Sequence, residues 1–279
     1  MNMTVTKLMM AAGAIIFLTA CDVKDPIHET DHPDKAKITV TADWSGIGQG
    51  IAKPSGYTVA FGDRTFTAMA DKYTLPDLIE PGNYTLYFYH EADNITINGT
   101  MSTADYAAGM PGWFFTGRLD AVIDGGKHHE LTVAMKQQVR QLTLVIEATG
   151  GTVDKIATIT GTLSGVAGSL DMSNDTHGTP SDVALTFAKG TDGKWTATVH
   201  LLGITGAKQK LSGTIKFTDG TPDDMILDSD LTAALATFND NKNEPLTLGG
   251  QAEETPSPAG FTTIINAWNK ITGGSVIAN

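Results

Sequence analysis

Apolar residues in this chain recur at every second position, in short runs broken by glycine, proline and aspartate, and that period restricts the chain to half-buried β-strands. Ile38, Val40, Ala42 and Trp44 form the first run, which Gly46, Gly48 and Gly50 end. Tyr57, Val59 and Phe61 alternate next, and Phe66 and Ala68 follow a turn at Gly62 and Asp63, which predicts a hairpin. Pro81, Gly82 and Asn83 signal a turn into residues 84–89, where aromatic and branched side chains on both faces predict a central strand. Ile95 and Ile97 mark another strand, and Leu131, Val133 and Met135 close this first set. Neither half alternates helices with strands, which argues against a parallel sheet with crossover helices.

The pattern restarts at Val139. Leu142, Leu144 and Ile146 alternate, then Ile156, Thr158 and Thr160, then Val183, Leu185 and Phe187, then Trp195, Ala197, Val199 and Leu201. Leu211, Ile215 and Phe217 share one face of a further strand, where Gly213 leaves a gap that marks either a bulge or a close backbone approach. Asp228, Ser229 and Asp230 are placed to cap a short helix through Leu231, Ala234, Leu235 and Phe238. The expected architecture is all-β: two tandem antiparallel sandwiches over residues 36–138 and 139–279, with a protease-accessible division near Gln138.

Before the first strand the chain has a different character. Lys7 precedes an apolar run over residues 8–17, followed by Leu18, Thr19, Ala20 and the single cysteine, Cys21. A run of about a dozen residues is too short to span a bilayer, which needs about 20, and it reads as a bacterial lipoprotein signal. Residues 1–20 form the signal peptide, with Leu18, Thr19 and Ala20 recognised by the signal peptidase and Cys21 carrying a thioether-linked diacylglycerol. Each buried methylene contributes about 0.8 kcal/mol, so two or three acyl chains anchor the protein in a membrane. Residues 21–35 are polar, contain Pro26 and Pro33, and read as a tether. With Cys21 acylated no disulfide is available, so each domain depends on its own apolar core. Removing residues 1–20 takes away Lys7 and no acidic residue, so the formal charge moves from -12 to -13. That surface argues against nucleic acid as a partner and against electrostatic adhesion to anionic lipid.

Candidate chemistry is sparse. The HETDH stretch at 28–32 matches the zinc-protease pattern, but the flanking Pro26 and Pro33 disfavour the helix that would put both histidines on one face. His128 and His129 are adjacent strand residues, point to opposite faces, and make a poor chelate. Residues 239–244 supply oxygens loosely like a calcium loop without its glycine or spacing. No nucleophile motif or phosphate loop occurs, so no catalytic residue, metal or cofactor is assigned. Trp113, Phe114 and Phe115 follow Pro111 and Gly112; they either present a stacking platform for a sugar or close one end of a core. A surface glycan-binding lipoprotein using that platform is the alternative function.

Three segments, VRQLTL at 139–144, GTLSGVA at 161–167 and GFTTIINAW at 260–268, join the lipid signal, the polar tether and the two strand-rich domains. Together they resemble the FimB-type fimbrial anchor subunits of the Bacteroidales, within the fimbrillin superfamily. The resemblance implies two transthyretin-like Greek-key sandwiches, attachment to the outer membrane through the covalent lipid, and other fimbrial subunits as partners. It brings no catalytic residues, no cofactor and no small-molecule ligand. The resemblance further implies that related stalk subunits lose their lipid and first strand by cleavage after an arginine. Here only Arg64, Arg118 and Arg140 occur, none in the tether or the first strand, which favours an anchor, while Arg64 at its hairpin turn is the one position that leaves a cut open. Joining by strand exchange would use the segment in which Phe261, Thr263, Ile265 and Ala267 alternate, or another sheet edge if that segment completes its own domain.

Overall fold

The computed structural model describes residues 34–257 and 260–271. Leu18, Thr19, Ala20, Cys21 and the HETDH stretch lie outside them. The described chain is all-β, as the two-residue period predicts. The first half supplies β1 (Lys37–Asp43), β2 (Tyr57–Phe61), β3 (Arg64–Ala68), β4 (Lys72–Thr74), β5 (Gly82–Tyr89), β6 (Ile95–Asn98), β7 (Met101–Ala104), β8 (Phe115–Ile123), β9 (His128–Ala134) and β10 (Lys136–Gln137). The second supplies β11 (Arg140–Thr149), β12 (Ile156–Asp171), β13 (Thr176–Lys189), β14 (Trp195–Leu201), β15 (Lys210–Phe217), β16 (Met225–Asp230), β17 (Leu246–Ser257) and β18 (Gly260–Lys270).

In the first half a three-stranded sheet, β4-β1-β9, faces a five-stranded sheet, β10-β8-β5-β2-β3. The alternating apolar positions put Ile38, Val40 and Val133 of one sheet into a single core with Val59, Phe61, Leu86, Phe88 and Phe115 of the other. β5 lies between β2 and β8, which accounts for its apolar character on both faces. Phe61 pairs with Arg64, leaving Gly62 and Asp63 as the two-residue turn, and Gly62 takes the positive φ of 62° that such a turn requires.

One hairpin departs from the sequence expectation. β6 and β7, read as members of the first set, pair instead with the second half: Met101, Ser102 and Thr103 lie opposite Asp171, Leu170 and Ser169 of β12. Ile95 and Ile97 pack on a small core shared by Phe114, Val139, Leu170, Met172 and Leu202. Sheet and core therefore both cross the expected division.

The second half is arranged as two four-stranded layers, β14-β11-β17-β18 and β13-β12-β15-β16, around one apolar core. The layers touch at both margins, where β13 meets β14 at its hairpin end and β16 meets β18 at Leu227 and Thr263. Both halves place their first strand parallel to a late one, β1 with β9 and β11 with β17. Gly213 pairs in register with Gly161, and a Cβ there would collide with Thr160 O, so the gap marks a close backbone approach and not a bulge. The helix expected after Asp228 is shorter than its spacing predicts. Asp228, Ser229 and Asp230 finish β16, and only Thr232–Leu235 forms a helical turn, α1. The Asp230 carboxylate accepts from the Thr232 hydroxyl and from Thr232 N–H, the latter at 2.8 Å, and these bonds, the hydroxyl first, hold the carboxyl below its usual range. Leu231, Leu235 and Phe238 still bury completely, because one turn plus the following bends delivers the same face.

Candidate functional site

Two features bear on how this molecule could engage others: the junction between its halves and the edges of its sheets. The junction is built on residues 137–141. Alternation from Leu131 through Val133 and Met135 continues in phase to Gln137 and Val139, so a polar side chain is delivered to an inward position. It is satisfied there: Gly48 N–H donates to Gln137 Oε1 at 3.0 Å, and Gln137 Nε2 donates to Val139 O and Lys242 O at 2.8 and 2.6 Å. Gln138 donates through its backbone to Phe114 O at 2.7 Å and through Nε2 to Thr116 Oγ1 at 2.7 Å. Arg140 crosses to the segment after α1, donating to Glu244 O and Phe238 O, each at 2.7 Å, with its guanidinium over the Phe238 ring. The Gln138 division, expected to be accessible, is buried and bonded on both sides.

At the centre of this junction lies Lys242, 9% exposed. Its ammonium donates to Gln138 Oε1 at 3.0 Å and Leu202 O at 3.2 Å, and its Nζ lies 2.8 Å from His177 Nε2. Burial, the dominant cause, pushes Lys242 down to about 7; Asp175 opposes the shift and Lys136 adds to it. Burial and then the Lys242 charge push His177 down to about 4. At the rim Lys136 and Asp175 pair at 2.8 Å. The segment that loosely resembled a calcium loop thus contributes a cation of its own, and Asn239 spends its amide on Ile204 N–H and C=O. Sequence reading missed this cluster because Lys242 sits in a polar stretch without period. The in-phase Gln137 was its one visible sign.

The aromatic trio belongs to the same junction. Phe114 and Phe115 are 0% and 1% exposed and divide between the small shared core and the first-half core. Trp113 is half-buried against His200, ring centroids 4.2 Å apart, while His200 Nδ1 approaches Pro111 O at 3.3 Å. The trio therefore closes the end of a core, and the three-ring platform for a sugar is corrected: burial leaves two rings without a free face. His128 bonds Thr39 Oγ1 at 2.8 Å, whereas His129 contacts the backbone of Asp124, so the neighbours do diverge. Among the described residues no group of three metal-ligating side chains converges.

The candidate exchange segment is β18. It lies between β17, with which it forms an antiparallel ladder, and β16. Ile265 is buried in the second-half core, Ala267 is exposed, and Phe261 and Thr263 occupy ladder positions opposite Pro256 and Glu254. Trp268 fixes the strand by donating from Nε1 to Ser229 Oγ of β16 at 2.8 Å. In this structure β18 completes its own sheet.

A different margin is open. β13 and β14 pair only at Ala188 with Thr196 and at Lys189 with Trp195, then diverge into separate layers. Between them lies a hollow of about 300 Å³ lined by Val183, Leu185, Ala197 and Val199, with Tyr106 and Met110 along one side. Tyr106 holds that side in place, donating to Ala167 O at 3.1 Å and accepting from Leu202 N–H at 3.0 Å, while burial pushes its phenol up so that it stays protonated.

Residues 37–272 match the family of fimbrillin-A associated anchor proteins Mfa1 and Mfa2. No curated protein sequence matches the chain. Among solved structures it is similar to a Bacteroides ovatus protein provisionally described as an adhesin, at 17% identity and TM-score 0.59, covering 82% of this chain and 92% of that one. It is also similar to the fimbrial anchor protein Mfa2 of Porphyromonas gingivalis, at 11% identity and TM-score 0.52, covering 84% and 98%. A third similarity, at 9% identity and TM-score 0.55, covering 85% and 98%, is to Bacteroides thetaiotaomicron proteins provisionally described as polysaccharide-binding. At these identities the structural likenesses establish a shared fold.

Proposed function

Because the chain belongs to the family of fimbrillin-A associated anchor proteins, we propose that it is the lipid-anchored subunit at the base of a cell-surface fimbria. The observation that carries this reading is the extent of the family match, which runs from the first strand to the last and so takes in both halves and the junction. Cys21 provides the attachment, through acyl chains in the outer membrane after removal of residues 1–20. Residues 21–35 lift the body from the surface, and the two halves act as tandem transthyretin-like sandwiches. Their parallel pairing of a first strand with a late one is common to both and supports that reading.

Fimbrial subunits join this body by strand exchange. A neighbour's extended segment adds to a sheet edge, where main-chain bonds give affinity and alternate side chains give register. Since β18 pairs along its length with β17 and meets β16 at Leu227, it completes its own sheet, and we place the exchange at another edge. The glycan-binding alternative has lost two of its three rings to the core. Deleting the gene tests the anchor reading. Fimbriae of normal length released into the medium are the expected result; fimbriae that remain cell-bound contradict it, and failure to polymerise points to a shaft role instead.

A further inference from the structure

Edge strands in natural proteins are usually protected against pairing by charge, proline, shortness or a covering element. Most edges of this molecule follow that rule among the described residues. β3 carries Arg64, β4 has three residues including Lys72, β6 has four, β10 has two, and β9 begins His128, His129, Glu130. The first part of β13 is guarded in the same way by Gly178, Pro180 and Asp182.

The facing stretches of β13 and β14 depart from it; at the other margin, where β16 and β18 pair only at Leu227 and Thr263, β16 carries Asp228 and Asp230. Residues 183–187 read VALTF and residues 195–199 read WTATV, with no charge, proline or glycine in either. Beyond the two hairpin pairs neither strand pairs with the other, so each presents a free ladder edge to the hollow between them. Val183, Leu185, Ala197 and Val199 already bury inward, while Ala184, Thr186 and Thr198 are small and leave the approach to the backbone open. Met110, 52% exposed, offers apolar surface at the rim.

The geometry points to this margin as the acceptor site: we infer that β13 and β14 receive an extended, uncharged segment of a partner fimbrial subunit by β-strand addition. This rests on the anchor reading and specifies the site at which it operates. The occupant is a strand because only an extended backbone satisfies a row of ladder donors and acceptors, and a helix presents none. It is uncharged because a charged side chain in the hollow would find no partner among valine, leucine, alanine and threonine. About five residues fill it, since residues 183–187 at about 3.3 Å each measure about 17 Å.

The test uses the full lipid-bearing chain with Ala184→Cys, an exposed position at which the new thiol adds little volume, and a membrane-impermeant maleimide as the probe on intact cells. Rapid labelling in a strain lacking the fimbrial shaft subunits, with labelling lost when fimbriae are assembled, is the expected result. Equal labelling in both strains overturns the proposal. So does protection at Thr65→Cys on β3 in place of Ala184→Cys, which would move the exchange to that edge. Protection in both strains that is relieved by removing residues 272–279 also overturns it, because the occupant is then the chain's own C-terminus. Shedding on gene deletion tests the anchor reading separately: shed fimbriae with equal labelling leave that reading standing and refute this edge.

Discussion

Lys242 and His177 show how a buried polar cluster makes the junction conditional on protonation. Both groups titrate below their ordinary values when folded, so over each interval between folded and unfolded pKa the unfolded chain holds more protons and stability rises with pH. For His177 the interval runs from about 4 up to the ordinary 6.5, and for Lys242 from about 7 up to 10.5. Acidification below 6.5 therefore withdraws the contribution of His177, because a protonated imidazole can no longer accept from the ammonium 2.8 Å away. At the rim Asp175, paired with Lys136, favours the charged form of both groups and offsets only part of the burial effect. Thermal unfolding followed between pH 6.5 and about 5, above most carboxylate titration, should show a falling midpoint in the wild type. In His177→Gln, which keeps an acceptor but does not titrate, the fall should be smaller, the remainder coming from His90 and His200, which burial also holds below their ordinary value. Equal slopes in the two proteins would contradict the assignment.

At the scale of elements, the strands were legible and their neighbours were not. Period-two alternation located β1, β2, β11 and β14 because one face of each meets a core, and side-chain polarity records that directly. The β6–β7 hairpin was assigned to the wrong half for the same reason: alternation says that Ile95 and Ile97 have an inner face but not which sheet they join. The helix after Asp228 was overextended because apolar residues three and four apart can also be delivered by successive bends. Gly213 was legible as a place of close approach, though not as a choice between approach and bulge. Its pairing with Gly161 gives a prediction: Gly213→Ala must push β15 away from β12 and should cost about 1–3 kcal/mol in urea unfolding. A neutral effect would mean that the two strands are less tightly apposed than the structure has them.

For the whole molecule, the sequence predicts two separable sandwiches divided near Gln138. The β6–β7 hairpin is paired into the second half, Arg140 and Gln137 bond across the chain, and Lys242 closes the junction from a third direction. We expect native-state limited proteolysis to leave residues 136–142 intact and to remove them only on global unfolding. A clean cut there under native conditions would restore the two-body picture. A rigid junction suits a subunit that passes force from a fibre to a membrane, since a hinge at its middle would let the pull peel strands one at a time. The proposed acylation of Cys21 rests on residues 18–21 of the sequence alone; the open β13 and β14 margin was not legible there, because unpaired edges leave no mark in polarity. The central claim, that this chain holds a fimbria to the cell through its lipid, is tested most directly by the distribution of fimbrial protein between cells and medium in a Cys21→Ser strain. The account predicts fimbriae of normal length found in the medium. Fimbriae retained on Cys21→Ser cells at wild-type level would contradict it.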